Sequence, residues 1–143
     1  MDLPLPPDVV EFLRRPQHAV IGWSGQGGRP HTVATWYDWD GGEILVNMDA
    51  TRKRLAWLQA GAPVSLTVLD ADDWYRHVSL YGEIVRTADD ADLSDIDRLA
   101  HRYAGRPHSN RTGARVSAWM KITSWHGWAD TGPWPSTTPD ADP

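Results

Sequence analysis

The chain has 143 residues, no cysteine and a formal net charge of −5. These values exclude disulfides, thiol catalysis and cysteine-ligated metals, and they argue against a general nucleic-acid-binding surface. Hydrophobic residues at 41% and charged residues at 23% are ordinary for one globular domain with a real core. No apolar run approaches the ~20 residues of a membrane span, and Met1-Asp2-Leu3-Pro4 lacks the apolar core of a signal peptide, so a cytoplasmic protein is expected.

In chain order, Pro7 to Leu13 predicts a short helix with Val9, Phe12 and Leu13 on one face, stopped by Pro16. His18 to Trp23 reads as a strand and Gly25-Gln26-Gly27-Gly28 as a turn. Pro30 to Trp39 is strand-like, and Asp40-Gly41-Gly42 is a hairpin turn into Glu43–Met48. A helix followed by a three-stranded meander is expected.

The stretch Asn47-Met48-Asp49-Ala50-Thr51-Arg52-Lys53-Arg54-Leu55 is then read as a strand end leading into a helix capped by Thr51 or Asp49. Three consecutive cations at such a helix start are disfavoured by the dipole, by roughly 0.3–1 kcal/mol each. A bound anion would reverse that sign. A solvated basic face is the competing reading. The expected acidic start of the second helix, Asp89-Asp90-Ala91-Asp92, shows charge placed in the ordinary way elsewhere.

Pro63 to Leu69 is a buried-type strand. Tyr75 to Val85 alternates, with Val78, Leu80 and Ile84 on one face and His77, Ser79, Tyr81 and Glu83 on the other. Arg76 falls on the apolar parity, at an open strand end or beside a partner. The second helix is expected from about Asp89 to Tyr103, with Leu93, Ile96, Leu99, Ala100 and Tyr103 at helical spacing. Ala114 to Ser124 is the last strand, with Val116, Ala118, Met120 and Ile122 inward, and Trp125-His126-Gly127-Trp128 closes the folded part. Residues 1–129 are expected to form one domain and residues 130–143, rich in Pro, Asp and Thr, a disordered tail. About six antiparallel strands with helices in the connections suggest a closed or nearly closed barrel.

No HExxH, GxSxG or GxGxxG pattern is present, so no metal site and no side-chain catalyst stands out. Nine tryptophans against one phenylalanine supply core filler or flat walls for a ring ligand. The residues suggest an anion-anchored ligand over an aromatic β-surface, a pattern that suits redox chemistry carried by a cofactor.

From Val9 to Trp128 the sequence resembles the pyridoxamine 5′-phosphate oxidase-like split β-barrel flavin and deazaflavin oxidoreductases, in particular their F420-dependent branch. The matching stretches are Gly28-Arg29-Pro30-His31, Thr35–Gly41, Thr51–Leu55, Val64–Asp70 and Tyr75-Arg76-His77-Val78, in that order and spacing. The resemblance implies a mainly β split barrel and a homodimer with cofactor sites at the interface. It implies a deazaflavin (coenzyme F420) passing hydride to an unsaturated or quinone-like acceptor, with FMN or a non-catalytic carrier role as alternatives. It further implies cofactor contacts from Val33, Thr35 and Trp36 along the ring and from Thr51, Arg52, Lys53 and Arg54 at the phosphate. Asn47, Arg76 and His77 match positions near the phosphate and ring edge. Tyr103, Arg106 and His108 are candidates for a substrate pocket. Where branch members carry Arg-Asn after the basic run, this chain has Ala56-Trp57, a departure that keeps FMN as the alternative cofactor.

Overall fold

A computed structural model describes residues 3–130 and 132–134. Pro7 stands in the first turn of α1 (Pro7–Arg14), where a missing N–H costs nothing. Val9, Phe12 and Leu13 are buried from its inner face, as the spacing predicts. The strands are β1 (His18–Ser24), β2 (Pro30–Thr35), β3 (Asp38–Asp40), β4 (Glu43–Asp49), β5 (Pro63–Leu69), β6 (His77–Asp89), β7 (Arg115–Ala129) and β8 (Gly132–Trp134), with α2 (Ser94–Ala104) between β6 and β7. They form one antiparallel sheet in the order β2-β1-β5-β6-β7-β4-β3, with β8 added on β7.

The two ends of that order, β2 and β3, are consecutive in the chain and do not pair with each other. This is the split in the barrel, and it corrects the expected three-stranded meander. Pro30 to Trp39 is two strands: β2 pairs with β1, and β3 pairs with β4 across the Gly41-Gly42 turn. The break falls at Trp36-Tyr37, because the fully buried Tyr37 is held at the end of α1. Its hydroxyl donates to the carbonyl oxygens of Leu13 at 2.9 Å and Arg15 at 3.1 Å. Those are carbonyls that a helix end leaves without intrahelical partners.

Strand alternation sorts the remainder. Ile44, Val46, Val64, Leu66, Val68, Val78, Leu80, Ile84, Ala118, Met120 and Ile122 all enter the main core. Gly82 sits at a register shift in the β6–β7 pairing. A Cβ there would lie 1.7 Å from the Lys121 carbonyl oxygen, so the strands approach too closely for any side chain.

Three other expectations are corrected. The basic run opens only a five-residue 3-10 segment, Lys53–Trp57, with no side-chain cap. The carboxylate of Asp49 instead accepts from the Thr51 amide at 2.8 Å and the Thr51 hydroxyl at 2.6 Å, a local turn upstream of it. The second helix starts at Ser94, not Asp89, which ends β6. Leu93, in a left-handed conformation (φ 61°), marks the corner, and the carboxylate of Asp90 accepts from the amides of Asp95 at 3.1 Å and Ile96 at 2.9 Å. Finally, the folded part runs past residue 129. Trp134 is 2% exposed, its ring meets Phe12 edge-on at 5.2 Å, and its indole N–H donates to Asp8 at 2.9 Å. The rest of the expected tail, 135–143, lies outside the described residues.

Candidate functional site

An open cleft of about 400 Å³ lies where the start of β1, the end of β2 and α2 meet. Its size falls within the roughly 300–1,000 Å³ of small-molecule sites. His18, Ala34, Thr35 and Trp36 line one side, and Ile96, Leu99 and Tyr103 of α2 another. Asn47, Arg54, His108 and Arg115 complete it.

The aromatic wall is built by stacking. Trp36 and Tyr103 lie parallel, 3° apart, with ring centroids at 5.4 Å, and Trp36 keeps 38% of its surface exposed. The hydroxyl of Tyr103 donates to the Gln17 carbonyl at 2.6 Å, fixing the ring from below. Burial pushes the Tyr103 phenol above its ordinary value, which keeps it neutral and a donor.

The polar wall is cationic. Burial, reinforced by the nearby charges of Arg52 and Arg115, holds Arg54 below the usual guanidinium range. Burial likewise lowers Arg115, against the opposing pull of Asp49 and Asp90. Among the described residues neither guanidinium makes an ion pair within 4 Å; the seven such pairs use Arg76, Arg86, Arg98, Arg102 and Arg111. Two partly desolvated guanidiniums, both lowered by the charge of Arg52, and Arg54 also by that of Arg115, with no carboxylate in contact, are an arrangement that an anion relieves.

Of the residues singled out from the sequence, the structure brings Thr35, Trp36, Asn47 and Arg54 together in this cleft. Val33 is half-buried and packs against the main core from β2. Thr51, Arg52 and Lys53 are exposed in the turn after β4 and do not line the cleft. Arg76 is engaged elsewhere, ion-paired to Asp70 at 3.4 Å and lying over the rings of Phe12 at 5.3 Å and Trp134 at 4.6 Å. Its apolar parity is thus explained by a partner. His77 stands outside the lining, in the same cross-sheet row as His18 but separated from it by Leu69 of β5. Tyr103 and His108 do line the cleft, and Arg106 does not. Sequence reasoning missed His18 and Arg115. The available signal for Arg115 was its outward parity beside the inward Val116, but its place next to Asn47 depends on a pairing 68 residues distant.

Three solved structures share this architecture. An F420 reductase superposes with a TM-score of 0.74 at 23% identity over 85% of this chain and 98% of its own. The conserved hypothetical protein Rv2991 from Mycobacterium tuberculosis gives 0.66 at 21% identity, covering 89% of this chain and 86% of its own. An FAD and heme binding protein from Mycobacterium smegmatis gives 0.61 at 20% identity, covering 85% and 70%. No curated protein matches the chain. The sequence model of the pyridoxamine 5′-phosphate oxidase family matches residues 5–129, nearly the whole described fold. The chain belongs to the pyridoxamine 5′-phosphate oxidase family, a family of oxidoreductases.

Proposed function

We propose that the chain is an F420-dependent oxidoreductase that passes hydride from the reduced deazaflavin to a small unsaturated or quinone-like acceptor. The observation that carries this reading is the cleft itself, which sets an aromatic wall opposite two guanidiniums that have no ion pair among the described residues. The residues fit such a group. Arg54 and Arg115 would hold its phosphate, and the exposed Arg52 and Lys53 would add to the attracting field. The outer edge of β2 at Ala34 and Thr35, to which no strand of the described residues is paired, would lie along the ring. When bound, the cofactor supplies the hydride. The chain's own contribution is to orient the ring against the acceptor and, through Trp36, Tyr103, Ile96 and Leu99, to exclude water.

The shared-site homodimer also belongs to this reading. Alternation puts Val20, Gly22, Thr32, Ser65, Thr67, Ser79, Tyr81 and His126 on the sheet face opposite the core. From β2 through β1 and β5 to Tyr81 of β6, no Lys, Arg, Asp or Glu falls on that face. Ala34 and His18 belong to both this face and the cleft, so a second copy seated there would border the site.

One observation favours FMN instead. Arg111 is taken up by Asp97 and Arg76 by Asp70, so cation supply in the cleft suits one phosphate better than a longer anionic tail. Parallel titrations with F420 and FMN at low and high salt decide between them. The F420 reading expects tighter F420 binding with the steeper loss in salt, since its carboxylates add screened contacts. Tighter FMN binding at both salts sinks it. Tight F420 binding without turnover on enones and quinones would favour a carrier.

A further inference from the structure

Asn47 lines the cleft, yet only 8% of it is exposed and its amide is fully engaged. Its Oδ1 accepts from Arg115 Nε at 2.7 Å. Its Nδ2 donates to Asp90 Oδ2 at 3.1 Å and to Ser117 Oγ at 3.0 Å. The orientation of the amide is settled by chemistry, because a guanidinium can only donate and must therefore face the oxygen. The Ser117 hydroxyl in turn donates a hydrogen bond to Asp95 Oδ2 at 2.6 Å. Asp90, 3% exposed, is anchored from behind by the backbone amides that open α2.

The Nε bond to Asn47 is the one side-chain hydrogen bond of Arg115 among the described residues. Its terminal nitrogens are left for whatever enters the cleft. Asn is the side chain of this length that can donate to a carboxylate and accept from a guanidinium at once. Leucine fills similar space with neither group, and aspartate would set a second carboxylate against Asp90.

We infer that Asn47 is a positioning residue: with Asp90 behind it, it aims the terminal guanidinium nitrogens of Arg115 into the cleft for the phosphate of the bound cofactor. The phosphate as the target rests on the proposed function. The hydrogen-bonded relay does not. One end of the relay is α2, whose other residues build the apolar and aromatic wall, so the cationic and aromatic sides of the cleft are referenced to the same helix.

Two readouts test this on the full chain. In the first, without ligand, the Arg115 Nε–H resonance is followed by nitrogen-edited NMR in wild type, N47L and the near-isosteric D90N. Slow solvent exchange is expected in wild type, fast exchange in N47L and an intermediate rate in D90N. An unchanged rate in both variants overturns the positioning role, and D90N keeps the test open if N47L does not fold. In the second, F420 affinity is measured for N47L, R115A and the double variant. Each single change is expected to weaken binding on the order of tenfold or more, and the double no further than R115A, because both remove one interaction. Losses that multiply overturn the relay. An R115A chain that binds F420 and FMN as tightly as wild type overturns the phosphate reading, while the ligand-free resonance still judges the positioning.

Discussion

Replacing Trp134 by alanine tests whether the last short strand belongs to the fold. The indole is almost fully buried, meets Phe12 edge-on, lies under the Arg76 guanidinium at 4.6 Å and donates to Asp8 at 2.9 Å. Truncating a buried tryptophan costs about 3–5 kcal/mol through lost transfer energy and the cavity left behind. That is a large share of the roughly 5–15 kcal/mol that holds a domain of this kind together. For a chain of this length it corresponds to a fall of roughly 10 °C or more in melting temperature. The W134F variant separates the contributions. It keeps a ring against Phe12 and Arg76 but loses the N–H bond, and a loss of about 1 kcal/mol is expected. Thermal unfolding of the three proteins at one concentration is the assay. A W134A melting point within roughly 2 °C of wild type would refute the docking of β8 and restore a tail that begins at residue 130.

Acid stability should report on Asp70. Burial pushes its carboxyl up, but the amides of Asp72 and Asp73 and the Arg76 guanidinium outweigh that and hold it below the usual carboxylate range. A depressed folded-state value means the stabilisation is present above the unfolded value of about 3.9 and is lost as pH falls through the folded one. Melting temperatures of wild type should therefore drop more steeply than those of D70N as pH falls below about 4, and parallel profiles would contradict the assignment. For the sheet face that carries no charge from β2 to Tyr81, T67R places a charge at its centre, where Thr67 meets Ser79 at 3.3 Å. Sedimentation should show wild-type dimer and folded T67R monomer with weakened cofactor binding; a monomeric wild type that binds the cofactor fully would remove the shared site.

What could be read from the sequence was whatever two-residue alternation and local turn chemistry decide. Val78, Leu80 and Ile84 on one face of β6, and Val116, Ala118, Met120 and Ile122 on one face of β7, fall where their parity puts them. The Gly41-Gly42 turn follows from the need for positive φ at both positions. What could not be read was set by partners distant in sequence. Nothing in Thr35-Trp36-Tyr37-Asp38 announces a break, because the break is made by carbonyls at the end of α1. The three cations looked like the start of a helix, but the helical turn that follows them is too short for a dipole argument. Only Arg54 lines the cleft, and its cationic companion, Arg115, comes from β7. Composition also misled at the C-terminal end. A stretch rich in Pro, Asp and Thr contains one tryptophan, and a single well-placed indole suffices to dock it.

The split between β2 and β3 accounts for why a site exists here at all. A closed barrel has no free edge and no corner to fill. In this chain the crossing segment at Trp36-Tyr37 leaves both, and Arg102 holds the corner in shape. Its guanidinium donates to the carbonyls of Leu13, Arg14 and Arg15 and pairs with Asp38 at 3.2 Å. It also lies over the rings of Tyr37 at 4.9 Å and Tyr103 at 5.6 Å. One side chain therefore ties the end of α1, the crossing segment and α2 together, leaving Tyr103 and the Trp36 stacked on it little freedom. The aromatic wall is preformed. Arg54 has no comparable ties among the described residues, so an anion entering the cleft must order that guanidinium as it binds. Charge repulsion between Arg54 and Arg115 is relieved in the same step, and the two effects oppose each other. Affinity for an anionic ligand should thus depend more on how Arg115 is held than on Arg54, which is the side of the cleft that the Asn47–Asp90 pair controls.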